Sequence, residues 1–220
     1  MNKYKIYVVF LLSIFICVFG FVNATENNLP LLGKVIYIDP GHGGLDPGAT
    51  YKDIYEADIN LSISLKLSNL LEKSGAIVLL TREGDYDLSV NNAVNRKRSD
   101  LSRRANIINE SGCDIYISIH LNSVSSETWK GAQVFYDNIN PKNEVLAKIL
   151  QEVFKKQLKT TREYQEMTDM YMYKRVKVPG VLVEAGFLSN ANERYLLQKS
   201  EYQEKIANIL YNGIVQYFHV

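Results

Sequence analysis

Val35-Ile36-Tyr37-Ile38-Asp39-Pro40-Gly41-His42 is an apolar, β-branched run that stops on a glycine and a histidine. Asp114-Ile115-Tyr116-Ile117-Ser118-Ile119-His120 repeats the design, and Gly180-Val181-Leu182-Val183-Glu184 closes a third such run on a carboxylate. Short apolar runs bounded by turn residues read as buried strands. In α/β sheets, ligands collect beyond the carboxyl ends of the strands, so His42, His120 and Glu184 are expected to share one site. Two imidazoles so placed make a metal the natural thing to share. The third histidine, His219, stands one residue from the C-terminus and is expected to be a frayed terminal residue.

Helical patterns separate these runs. Ile59, Ile63, Leu67, Leu70 and Leu71 recur at helical spacing between Ala57 and Lys73, and Gly75 supplies a stop. Ala76–Thr81 is then a further strand. Residues 83–98 are polar, with Arg96, Lys97 and Arg98 in an expected solvated loop, and Ser99 or Asp100 caps a helix carrying Leu101, Ala105 and Ile108. A strand at Ala132–Tyr136 precedes a helix from Pro141 to about Leu158, with Val145, Leu146, Ile149, Leu150 and Phe154 inward. Met170–Tyr173 reads as a short strand, and helices near 191–199 and 201–217 close the chain. This alternation predicts α/β architecture over residues 34–220: a single three-layer, phosphorylase/hydrolase-like domain. Its mixed, mostly parallel sheet has five to six strands flanked by helices.

The first residues point to export. Lys3 and Lys5 precede an apolar run from Ile6 to Val22, and Asn23-Ala24 follows as a small-residue exit. Residues 1–24 therefore read as a cleaved signal peptide or an N-terminal membrane anchor, and 25–33 as a linker. Removing 1–24 takes two of the 25 Lys+Arg and none of the 24 Asp+Glu, leaving a net charge of −1, so nucleic acid is not an expected partner. Cys113 is then a lone thiol opening a strand, which suits a small buried side chain.

A catalytic zinc takes three protein ligands and keeps a fourth position for water. His42 and His120 with one of two glutamates, Glu56 or Glu184, meet that count, and the other acid is left as a proton shuttle. Spacing does not assign the two roles. Asp39-Pro40-Gly41-His42-Gly43-Gly44, with Asp46 and Gly48, resembles the opening signature of the zinc-dependent N-acetylmuramoyl-L-alanine amidases. Glu56, Ser118-Ile119-His120-Leu121-Asn122 and Val181-Leu182-Val183-Glu184-Ala185-Gly186-Phe187-Leu188-Ser189-Asn190 match the other blocks of that family in order.

The resemblance implies one zinc per chain held by His42, Glu56 and His120, with Glu184 as catalytic acid/base. It implies hydrolysis of the lactyl amide between N-acetylmuramic acid and L-alanine, with peptidoglycan strands and their stem peptides as substrate. The short exported form is most similar to the spore-cortex amidases of endospore formers. That likeness implies action outside the cytoplasm, at the cell wall, membrane or forespore envelope, with an accessory or activator protein as a further expected partner. The competing readings are a non-catalytic peptidoglycan-binding module with a retained metal site, and a non-haem iron centre built on the same donors.

Other residues stay open between two roles. Asp39 and Asp46 either orient a ligand histidine or cap their loop. Asn122 either donates to substrate or caps a turn. Trp129 either stacks on a sugar ring or packs. Arg103 and Arg104 are expected to pair with surface acids.

Overall fold

In a computed structural model, which describes residues 29–168 and 170–220, the chain opens with β1 (Val35–Pro40), a hairpin of β2 (Thr50–Tyr51) and β3 (Ile54–Tyr55), α1 (Glu56–Lys73) and β4 (Ile77–Leu80). It continues through α2 (Arg96–Glu110), β5 (Ile115–Asn122), β6 (Gln133–Tyr136), α3 (Pro141–Leu158), β7 (Gln165–Glu166), a 3-10 turn at Tyr173–Arg175, β8 (Gly180–Phe187), α4 (Ala191–Leu197) and α5 (Ser200–Phe218). The signal-or-anchor reading of residues 1–24 lies outside the described residues. Among those residues no helix is long and apolar enough to cross a membrane. Leu31 is fully buried, and its N–H donates to Ser74 O at the end of α1.

Six strands form one sheet in the order β4-β1-β5-β8-β6-β7, parallel throughout except where β6 runs against β8. This is the expected mixed, mostly parallel sheet. Side chains alternate across it with period two. Ile36 and Ile38, Ile115, Ile117, Ile119 and Leu121, and Val181, Val183 and Ala185 join the core that α1, α3 and α5 cover. Tyr37, Tyr116 and Leu182 face the other way, against Ala105 and Ile108 of α2 and the segment Met172–Val176. The same parity puts Asp39, Ser118, His120 and Glu184 on the α2 face.

Four local expectations are corrected. β5 and β8 do not stop at His120 and Glu184 but run on to Asn122 and Phe187. Backbone pairing outlasts the apolar run there, through a register shift between His120 and Asn122. α2 starts at Arg96 because the Asn95 side chain, not Ser99 or Asp100, accepts the Arg98 N–H at 2.9 Å; Arg96–Arg98 thus form its first turn. On α3 the buried stripe is Asn143, Leu146, Ala147, Leu150 and Phe154, spaced i, i+3, i+4, i+7 and i+11, which turns Val145 to solvent. Met170–Tyr173 is no strand: it leads into the 3-10 turn, and the edge strand falls at Gln165–Glu166.

Candidate metal centre

The loop leaving β1 carries His42 at φ 61°, in the left-handed region that residues with a side chain seldom occupy. Such a conformation persists only when its surroundings over-determine it. Here two arginines, each 1% exposed, grip the loop's carbonyls. Arg82 donates to Pro40 O, Gly41 O and Ala57 O at 3.0, 2.9 and 2.8 Å. Arg104 donates to Pro40 O at 2.8 Å and to His42 O at 2.7 Å. Gly41 is required at its place, since a Cβ there would fall within the His120 ring.

Arg104 is thereby a correction: it is buried, and its partners are Asp39 and Asp100, both at 2.8 Å and both buried. Asp39 also accepts from Thr81 and Ser118 hydroxyls at 2.7 Å. Burial pushes the Asp39 carboxyl up, but Arg104 and those hydroxyls outweigh it and hold the pKa below the usual carboxylate range. Asp39 touches neither imidazole, so of the two aspartates only Asp46 reaches a histidine.

His42 Nδ1 lies 2.9 Å from Asp46 Oδ2, and its Nε2 lies 3.2 Å from Glu56 Oε1. His120 Nδ1 reaches the same Glu56 oxygen at 3.0 Å. The two rings meet edge to face with centroids 4.8 Å apart. Glu56, the first residue of α1, sits at the positive end of that helix's dipole. Its Oε1 further accepts from Leu121 N and Asn60 Nδ2 at 3.0 and 3.2 Å, and its Oε2 from Ala49 N at 2.8 Å. The carboxylate is fixed before any ligand arrives. Burial opposes its charge, yet the hydrogen bonds to His120 and His42 hold its pKa far below the ordinary glutamate value. Burial likewise opposes charge on His42, but Asp46 and Glu56 raise its pKa to about 9.

One donor atom each from His42, Glu56 and His120 lies within 4.8 Å of the others, a group that could hold a metal ion. Glu184 pairs with His120 across β5 and β8. Its Oε2 is buried without a hydrogen-bond partner. Burial, with the charge of Glu56 adding and that of His42 opposing, raises the Glu184 pKa to about 8. All four side chains line one cleft of about 330 Å³, walled also by Lys97, Asn122 and Met170–Tyr173. The sequence-derived residues thus converge, whereas Arg82 and Asn60 were missed, because a buried arginine or asparagine leaves no periodic mark. Trp129 lies outside the cleft lining, half-exposed, with its ring 6.5 Å from that of Phe187.

A mostly parallel sheet flanked by helices, with two imidazoles and two carboxylates gathered at one cleft, defines an α/β protein whose donor group could hold a metal ion. The profile of the N-acetylmuramoyl-L-alanine amidase family, Amidase_3, matches residues 36–216, and the chain belongs to that family. It is 41% identical to the germination-specific N-acetylmuramoyl-L-alanine amidase of Bacillus subtilis, over 99% of this chain and 97% of that one. Among solved structures it is similar to the CwlD amidase of Clostridioides difficile in complex with the GerS lipoprotein, with 42% identity and a TM-score of 0.81 over 85% of this chain and 99% of that one. An N-acetylmuramoyl-L-alanine amidase of Clostridium difficile 630 matches at 29% identity and a TM-score of 0.76, over 84% and 97% of the two chains.

Proposed function

We propose that the exported chain hydrolyses the amide bond between the lactyl group of N-acetylmuramic acid and the L-alanine of peptidoglycan stem peptides, acting outside the cytoplasm during spore-cortex maturation. The observation that carries this reading is the convergence of His42, Glu56 and His120 beside the unpartnered Oε2 of Glu184. One zinc per chain fits this donor set, since two imidazole nitrogens and one carboxylate oxygen with an acid nearby make a catalytic rather than a closed structural site. Zinc held there supplies Lewis acidity, polarising a carbonyl and lowering the pKa of water toward roughly 7.

The protein's own residues do the rest. Asp46 accepts from His42 Nδ1, which leaves Nε2 as the donor atom directed at the centre. Asn60, Leu121 N and Ala49 N fix Glu56. Glu184 Oε2, free of hydrogen bonds, takes the proton from the attacking water and returns it to the departing amine nitrogen of L-alanine. A structural neighbour was solved with a lipoprotein, which supports an accessory protein partner for this chain as well.

Mass spectrometry of muropeptides digested with and without chelator tests the proposal. Release of free L-alanine-terminated peptides that chelator abolishes is the expected result. Cleavage at another bond, or full activity in chelator, would overturn it.

A further inference from the structure

We propose that Trp129, backed by Arg162 and Phe187, is a platform on which a sugar ring of the glycan strand stacks, outside the cleft where the amide is cut. The proposal rests on the amidase reading for the identity of its ligand, and on separate residues for its geometry.

Trp129 is half-exposed although it is the largest apolar side chain type, in a loop whose neighbours are tied down. The Arg162 guanidinium lies 4.4 Å from the Trp129 ring centroid and 4.9 Å from that of Phe187. Arg162 Nε also donates to Lys130 O at 3.1 Å. Asn190 holds Glu127 O at 2.8 Å, and Glu193 accepts from both Gly131 N and Phe187 N at 2.8 and 2.7 Å. The indole is therefore held against Arg162 and Phe187 while half its surface stays in water. A rigid aromatic face costs little entropy to use.

Position selects the occupant. The loop leaves β5 after Asn122, two residues past His120, and Leu121, Asn122 and Ser123 line the cleft. Asn122 pairs with Phe187, which stands three residues past Glu184 on β8, roughly 10 Å along the strand, and the Trp129 ring lies 6.5 Å from that of Phe187, outside the cleft lining. A polymer anchored by one muramoyl residue at Glu184 carries its neighbouring sugars across that span. The face of a pyranose ring presents C–H groups that pack on the electron-rich indole face, and its hydroxyls stay in water.

Trp129 is the only tryptophan in the chain, so fluorescence excited selectively at tryptophan, past the absorption of the 15 tyrosines, reads this face alone. Titrating the full chain with peptide-free glycan strands should give a saturable emission shift. Trp129→Ala should raise KM on glycan-linked substrate roughly three- to tenfold, with kcat and turnover of a monosaccharide muramoyl peptide unchanged; Trp129→Phe should fall between. Unchanged emission at saturating glycan, or equal losses on polymer and monosaccharide substrates, would overturn the platform. An emission shift without peptide release from any substrate would sink the amidase reading and leave the platform standing.

Discussion

Arg104 donates through Nη2 to the main-chain carbonyl of His42 at 2.7 Å, which ties a histidine in left-handed conformation to a buried ion-pair network. The same guanidinium balances Asp39 and Asp100. Arg104→Met should therefore cost about 3–5 kcal/mol, because it strands two buried carboxylates, and should release the His42 loop as well. Urea denaturation measures the first effect and zinc titration the second. A variant as stable as wild type would show that the network does not hold the loop.

Asp46 orients His42 from outside the donor group. Asp46→Ala should weaken zinc binding about 10- to 100-fold while leaving the fold intact, since outer-shell partners of ligating histidines carry effects of that size. Competition against a chromogenic chelator gives the affinity, and circular dichroism the fold.

Zinc affinity should rise with pH. An imidazole binds metal only through an unprotonated nitrogen, and the His42 pKa in the metal-free protein is raised to about 9. Protons compete below that value, so each pH unit from 8 down to 7 should weaken apparent affinity up to about tenfold. Asp46→Ala, which removes one support of the charged imidazole, should flatten the profile. Calorimetry from pH 6.5 to 9 would read it, and a pH-independent affinity in wild type would contradict it.

Glu184→Gln should keep zinc and lose turnover. In the metal-free protein it should also gain stability in a defined pH window. The Glu184 pKa is about 8 when folded, above the ordinary glutamate value of 4.5, so the native state holds the extra proton and its stability falls as pH rises from near 4.5 through 8. The advantage of glutamine over wild type should grow across that range and level off above it. Thermal melts at pH 5 and 8.5 in chelator test the sign.

Gly41→Ala places a methyl where the His120 ring lies. The ring must move, so zinc affinity and activity should fall together, with a smaller loss of overall stability. An alanine variant that binds zinc as wild type would show the ring free to shift.

Much of the architecture is legible along the chain. The strands at 35–39, 114–119 and 180–184 are dense in β-branched residues, and Ile59, Ile63, Leu67 and Leu71 mark α1 by spacing, because both signals reflect local periodicity against one core. The short Gln165–Glu166 edge strand and the 3-10 turn at Tyr173–Arg175 were not legible, since their conformation is set by pairing with β6 and by packing of Tyr173 on the α2 face. Arg104 was misread for a related reason: a basic residue in a polar helix looks solvated until Asp39 and the loop carbonyls are known to meet it.

The sequence by itself carried the family and singled out His42, Glu56, His120 and Glu184 as candidates, because separated motifs keep their order whatever the packing. It left Glu56 unmarked by any strand and assigned it only by likeness. Tertiary structure alone decided that Glu56, at the start of α1, meets both imidazoles through one oxygen, and that Glu184 stands beside them with an unpaired one. It also decided that Arg82 and Arg104 hold the loop on which His42 turns. The physical reason is range: periodicity and motif order are properties of neighbours in the chain, whereas a donor set is made by strand register and buried polar pairing between residues up to 79 positions apart.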